Sequence, residues 1–157
     1  MDSILELKPL IRAEVKNADG TFKSERHFLD FVVDGRSLWE ELGEKRDQVS
    51  ILCAEYAAEE TATAIGRLLM HEKAYLPNGR CSLFVCSECG DLLCGTITAL
   101  VEKQGETITW KAFGYENTYE DKIWLDEYST VGPFAFDAVS YESTLLQGMN
   151  LLTHPAS

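Results

Sequence analysis

The sequence lacks most of the patterns that assign a chain to an enzyme class or to a membrane. No apolar run approaches the length of about 20 residues that a transmembrane helix needs, and the first ten residues do not resemble a signal peptide. No Walker loop, GxGxxG or HExxH motif is present, and the three histidines show no Ser-His-Asp or Cys-His order. These absences predict a cytoplasmic protein without a membrane segment and leave no recognisable catalytic constellation.

Basic residues are also few. The chain has 14 Lys and Arg residues against 26 Asp and Glu residues, which gives a formal net charge of −12. A surface this acidic repels phosphate backbones and attracts basic proteins, so the charge disfavours direct nucleic-acid binding and suits a basic protein partner. The alternative is that the charge only keeps the protein soluble.

The composition otherwise matches a soluble globular protein, with 157 residues of which 45% are hydrophobic. We find no internal repeat, no low-complexity segment and no linker. The sequence therefore predicts one domain over residues 1–152 and a loose tail over residues 153–157.

Local patterns predict the order of the elements. Apolar alternation after Leu5, with Pro9 at an edge or bulge, predicts a strand, and residues 21–33 predict its returning partner. Further signals predict a short helix from the Ser37 capping box to Gly43, a strand over residues 49–53, a helix over residues 57–71, and a last helix over residues 138–147 capped by Asp137 and ended by Gly148.

A β-hairpin forms the centre of the predicted fold. Thr96 to Val101 and Thr107 to Phe113 flank Gln104 and Gly105, which we take as a two-residue turn. Counting back from that turn pairs Val101 with Ile108, Ala99 with Trp110 and Ile97 with Ala112, all on one apolar face. Together these elements predict an α+β fold: a mostly antiparallel sheet of about six strands, with two to three helices packed on one face.

The five cysteines, at positions 53, 81, 86, 89 and 94, do not suit a disulfide framework, because their number is odd and no export signal is present. Three of them form the pattern Cys86-x-x-Cys89-Gly-x-x-x-Cys94, which is typical of a turn whose thiolates bind zinc. The fourth ligand would come from Cys81, Cys53, His27, His71 or water. A redox-active thiol, or reduced cysteines that only pack, are the alternatives.

A second candidate site follows the hairpin. Tyr115, Glu116, Asn117, Tyr119 and Glu120 combine aromatic and acidic side chains directly after a predicted strand, which suits a partner-binding segment. The alternative is that Tyr115 and Tyr119 cover the edge of the sheet while the acids are solvated.

These motifs carry a resemblance. The stretch LFVCSECGDLLCGTITALVE, the Trp110 strand, FGYENTYE and the segment from Val131 to Asp137 resemble a family of small bacterial proteins with the pattern CPECGDxGCG…W…FGYENxY…GPFxFDxxxY. This chain has Ser87 and Leu93 where that pattern has proline and glycine. The resemblance implies a bacterial, cytoplasmic, single-domain protein and supplies no mechanism.

Two functions remain open at this point. The first is a non-enzymatic, acidic interaction module that neutralises a basic partner or toxin and contains a structural zinc site. The second is a thiol- or metal-dependent, oxidoreductase-like enzyme that uses Cys86, Cys89 and Cys94. An enzyme of this kind needs a thiolate near neutral pH or an open metal position, so thiol titration would separate the two.

Overall fold

A computed structural model describes residues 2–71, 80–87, 95–117, 123–125 and 128–153 of the chain, and for residue 153 the backbone only. Within these ranges ten strands form three antiparallel sheets, accompanied by two α-helices. Strands β1 to β10 span Leu5–Arg12, Val15–Lys16, Phe22–Lys23, Arg26–Val33, Arg36–Ser37, Gln48–Ser50, Arg80–Cys86, Thr96–Gln104, Thr107–Glu116 and Phe134–Asp137. Helices α1 and α2 span Ala58–Leu68 and Ala138–Thr153.

The strand order is β10-β9-β8-β7-β6 in the largest sheet, β1-β4-β5 in the second and β2-β3 in the third. The predicted α+β class with antiparallel pairing is confirmed, although the strands are shared among three sheets. The packing of the helices on one face stays a prediction. None of the helices in the described ranges is long and apolar enough to cross a membrane.

Hydrogen bonds join the second sheet to both edges of the largest one. The two residues after Ser50 of β6 bond to different sheets. The Ile51 amide donates to the Leu83 carbonyl of β7, and the Leu52 carbonyl accepts from the Leu29 amide of β4. At the opposite edge, Ser3 forms a parallel bridge with Phe136 of β10 and donates its amide to Ala135 at 2.7 Å. The two sheets therefore enclose a common apolar core.

Trp110 lies at the centre of that core and is fully buried. Its ring contacts Phe31 of the second sheet, Phe136 of β10 and Tyr141 of α2 edge-on, at centroid distances of 5.5, 5.1 and 6.0 Å. The indole N–H donates to the Tyr141 hydroxyl at 3.1 Å, and that hydroxyl donates to the Leu68 carbonyl of α1 at 2.6 Å. Trp110 thus contacts both larger sheets and α2, and Tyr141 links it to α1.

The predicted hairpin exists, but its register was wrong. Gln104 pairs with Thr107, so the turn is Gly105-Glu106 and Val101 faces Trp110. Gly105 has a φ of +60°, and two-residue hairpin turns place such a residue first. The predicted apolar face is still correct. The observed pairing differs from the predicted one by two residues, and a shift of two keeps each side chain on the same face of the sheet.

A β-bulge further displaces the end of β9. The register shifts between Thr98 and Leu100 of β8. Ala112, on the facing part of β9, takes a φ of +52°, and Ile97 pairs with Tyr115 instead of Ala112. Beyond the bulge, a Cβ on Gly114 would lie 2.7 Å from the Leu125 side chain. Glycine at this position lets residues 123–125 lie against β9, where Trp124 exchanges two backbone hydrogen bonds with Tyr115.

The helix ends were predicted in part. Asp137 accepts a hydrogen bond from the Ser140 amide at 3.0 Å, which confirms the cap of α2. Gly148 does not end that helix: it lies inside α2, where an added Cβ would meet Leu7 at 2.3 Å. Gly43 is the last residue of a π-helical turn over Trp39–Gly43, as predicted, although a 3-10 turn over Glu44–Arg46 follows directly.

The helix predicted over residues 57–71 exists as α1, which spans Ala58–Leu68. Its buried residues are Thr61, Ile65 and Leu68, whereas Ala58 and Ala62 are exposed. The tail after residue 153 lies outside the described residues.

Candidate functional site

The cysteine pattern begins where β7 ends. Cys86 is the last residue of β7 and is half-buried, and Ser87 begins the turn that follows. Cys89 and Cys94 lie outside the described residues, and the chain is described again from Gly95, just before β8. Of the predicted metal ligands, the structure therefore places Cys86, and it places the residues at both ends of the cysteine segment.

Side chains from distant parts of the chain hold the first end. The Tyr56 hydroxyl donates to the Cys86 carbonyl at 2.9 Å, and Arg26 Nε donates to the Ser87 carbonyl at 2.7 Å. Arg12 Nη1 donates to the Ser87 hydroxyl at 2.7 Å. Both residues that begin the cysteine segment are thus tied to β1, β4 and the stretch before α1.

Asp47 balances part of this positive charge. Its carboxylate accepts from Arg12 Nη1 at 3.1 and 3.0 Å and also pairs with Lys23, while the Ser87 hydroxyl donates to it at 3.2 Å. Arg12 is only 7% exposed, and a buried cation requires such a partner. Burial opposes ionisation of Asp47, but the hydrogen bonds from Lys23 and Arg12 prevail and hold the pKa of Asp47 below its ordinary value.

Gln48 holds the second end. It lies opposite Cys86 in the β6–β7 pair, and its Nε2 donates to the Gly95 carbonyl at 3.3 Å. The side chain is 4% exposed, and in the described part of the chain its Oε1 has no hydrogen-bond partner. The segment that contains Cys89 and Cys94 therefore begins and ends at positions fixed by buried polar side chains.

The other cysteines lie in different surroundings. Burial raises the pKa of Cys53 to about 11 and raises the pKa of Cys81, so both remain thiols at neutral pH. A strand rises about 3.3 Å per residue, so Cys81 and Cys86 are roughly 16 Å apart and cannot share one ion. Cys81 is therefore excluded as the fourth ligand.

His27 is also poorly suited to be the fourth metal ligand. Its two ring nitrogens lie 3.1 Å from Glu25 Oε2 and 3.2 Å from Glu55 Oε2, so both already contact carboxylates. In the described ranges no group of three or more His, Cys, Asp or Glu side chains is arranged to hold a metal ion.

The structure describes only part of the predicted partner-binding segment. Tyr115 and Glu116 belong to β9 and Asn117 follows it, whereas Tyr119 and Glu120 lie outside the described residues. Glu116 is 9% exposed and accepts hydrogen bonds from the Thr98 hydroxyl at 2.6 Å and Arg80 Nε at 3.0 Å. Its carboxylate thus belongs to a buried ion pair.

Tyr115 is half-buried and covers the start of β8. Its hydroxyl would lie 2.3 Å from a Cβ on Gly95, which has a φ of +128°, so glycine is required there for both reasons. Arg46 lies over the ring at 3.7 Å, and the Trp124 ring is 5.6 Å away. This position matches the alternative of a covering residue, and the partner-binding role of the segment stays a prediction.

No protein-family model matches this chain, nor does any curated protein or solved structure.

Proposed function

We propose that the protein is a non-enzymatic, acidic interaction module of the cytoplasm that binds a basic protein partner. The observation that carries this proposal is the inequality of exposed charges. In the described ranges fourteen acidic residues are exposed against six basic ones. The acids are Asp2, Glu6, Glu14, Asp19, Glu25, Asp34, Glu40, Glu44, Glu55, Glu59, Glu60, Glu102, Glu106 and Glu142, and the bases are Lys8, Lys16, Arg36, Lys45, Arg46 and Lys103.

The inequality follows mainly from the composition of the chain, because the ion pairs inside the fold use acids as well as bases. Arg12 and Arg80 are buried beside Asp47 and Glu116, and Lys23 is half-buried against Asp47. These basic side chains hold the fold together, and the charges of Arg12 and Arg80 are not presented to solvent. A surface with excess negative charge accelerates association with basic proteins and selects against nucleic acids.

The partner-binding segment Tyr115, Glu116, Asn117, Tyr119 and Glu120 remains part of the proposal. Within it, Glu116 supports the strand through Arg80, and Tyr115 offers its aromatic ring beside Arg46. Aromatic and arginine side chains often supply most of the binding energy of an interface.

Affinity capture tests the function. Tagged protein is incubated with bacterial lysate at low salt, and retained proteins are eluted by a salt step and identified by mass spectrometry. The control bait carries lysine at Glu6, Glu59, Glu102 and Glu142, which are exposed and lie on four different elements. Since each change adds two charges, its net charge is about −4 instead of −12.

We expect a specific basic protein that the wild-type bait retains and the control bait loses. Retention of an acidic protein, or equal retention by both baits, would contradict the proposal.

We propose in addition that Cys86, Cys89 and Cys94 hold a structural zinc ion, with a fourth ligand from elsewhere. Support comes from the fixed ends of the cysteine segment at Ser87 and Gly95, because a site with fixed ends loses less entropy when a metal binds. Bound zinc would cross-link the segment and stabilise the fold. Metal analysis of purified protein, and melting with and without a chelator, test this part.

A further inference from the structure

A partly exposed group of aromatic, apolar and arginine side chains, in which Tyr128 is buried, lies beside the partner-binding segment. It consists of Arg46, Tyr115, Trp124, Leu125 and Tyr128, and we call it the Tyr115 surface. Arg46 lies over the Tyr115 ring and donates from Nε to the Tyr128 hydroxyl at 3.0 Å, so it fixes both rings. Leu125 remains 42% exposed. Tyr, Trp and Arg are the residue types most enriched at interface hot spots.

A recess opens next to this surface, between β9 and the stretch before β10. Its volume is about 240 Å³, and its lining is mainly apolar. The apolar lining residues are Ala112, Phe113, Leu125, Tyr128, Val131 and Pro133. Sites for drug-sized ligands measure roughly 300–1,000 Å³, so this recess is too small for one and suits a single apolar side chain.

The exposed apolar residues of the β2–β3 ribbon do not combine in this way. Val15 and Phe22 of the β2–β3 ribbon are 41% and 59% exposed, but Val15 pairs with Lys23 and Phe22 pairs with Lys16. Paired residues share a face and successive residues alternate, so Val15 and Phe22 point to opposite faces. They cannot form one surface.

The charge of the surrounding sequence indicates what kind of segment would occupy the recess. Residues 117–127, NTYEDKIWLDE, contain four acidic residues and one lysine, and the lining residue Leu125 lies within them. Together with the excess of exposed acids, this sequence disfavours an acidic or neutral segment near Leu125.

We propose that the recess receives one apolar side chain from a lysine- or arginine-rich segment of the partner. This inference rests on the proposed function and adds the anchoring position. Charge then attracts the segment to the surface, and the apolar side chain fixes where it binds.

Three synthetic peptides test the proposal: acetyl-KKLKK-amide, acetyl-KKSKK-amide and acetyl-EELEE-amide. Each is titrated into isotope-labelled protein, and the amide signals are followed by NMR. We expect KKLKK to bind about tenfold more tightly than KKSKK, because leucine buries apolar area that serine lacks. Its signal shifts should centre on Phe113, Leu125 and Val131.

Two variants localise the effect. Leu125→Asp removes one wall of the recess, and Ser129→Trp fills the recess from an exposed lining position without changing charge. Val139→Asp, at a site 73% exposed on α2, is the matched control for Leu125→Asp. Both recess variants should abolish the preference for KKLKK over KKSKK, and Val139→Asp should keep it. Leu125→Asp adds negative charge, so weaker attraction cannot explain a loss.

The outcomes separate this inference from the function on which it rests. If neither lysine peptide binds, both the acidic-module function and the anchor are rejected. If KKLKK and KKSKK bind equally, the charged surface stands and the anchor is rejected. Equal binding of EELEE and KKLKK would show an apolar recess without a preference for basic segments, which also rejects the inference. A preference that survives in both recess variants would place the anchor elsewhere and overturn it.

Discussion

Replacing Asp47 by asparagine should loosen the base of the cysteine segment. The change keeps the shape of the side chain but removes the carboxylate that pairs with both Arg12 and Lys23. Removing one member of a buried ion pair costs about 3–5 kcal/mol, whereas an exposed pair contributes about 1 kcal/mol or less. Arg12 is 7% exposed and Asp47 is 37% exposed, so we expect a loss of about 2 kcal/mol in the free energy of unfolding.

The pH dependence of this loss has a definite sign. The pKa of Asp47 is lowered in the folded protein, so its stabilising effect is complete above the unfolded-state pKa and disappears as the pH falls through the folded-state pKa. The difference between wild type and Asp47→Asn should therefore be constant near pH 7 and shrink below about pH 4.

Urea denaturation across that pH range measures the effect, with Glu44→Gln as a control. Glu44 is exposed and three residues away, so the control removes the same charge without breaking the network. Equal stability of Asp47→Asn and Glu44→Gln at pH 7 would refute the role of the network. A difference that grows as the pH falls would refute the assignment to Asp47.

Three further predictions concern the core, the Tyr115 surface and the cysteines. Trp110→Ala should lower the free energy of unfolding by about 3–5 kcal/mol by denaturant titration, because it empties the centre of the core; a loss below about 1 kcal/mol would contradict that position. Gly95→Ala should destabilise more than Gly20→Ala in thermal melting, since both have positive φ but only Gly95 contacts Tyr115; equal effects would remove the argument from that contact. Cys86→Ser should lower bound zinc from about one equivalent to near zero by elemental analysis, and metal-free wild-type protein would reject the zinc site.

The sequence allowed the sheet to be predicted where side chains alternate. The apolar faces of β8 and β9 and the position of Trp110 in the core follow from a period of two. The pairing did not follow, because the turn depends on the φ of Gly105 and the bulge on the φ of Ala112. Neither backbone conformation can be recognised from the order of apolar and polar residues in the sequence.

Long-range contacts set the other limits. Gly148 looks like a helix stop, yet it lies inside α2 because Leu7 of a distant strand packs against it. Arg12 and Ser87 are 75 residues apart, and no local pattern predicts that they bond. The cysteine pattern could therefore be recognised from the sequence, while the side chains that hold its ends could not.

The most direct test of the acidic-module account is calorimetric titration of the captured partner against wild-type protein at increasing salt. Because the account attributes recognition to exposed acids, affinity should fall at least about tenfold between roughly 0.05 and 0.5 M salt. The variant with four glutamates replaced by lysine carries a smaller negative charge. It should bind more weakly at low salt, and its affinity should depend less steeply on the salt concentration. An affinity independent of salt, and equal for wild type and the lysine variant, would contradict the account.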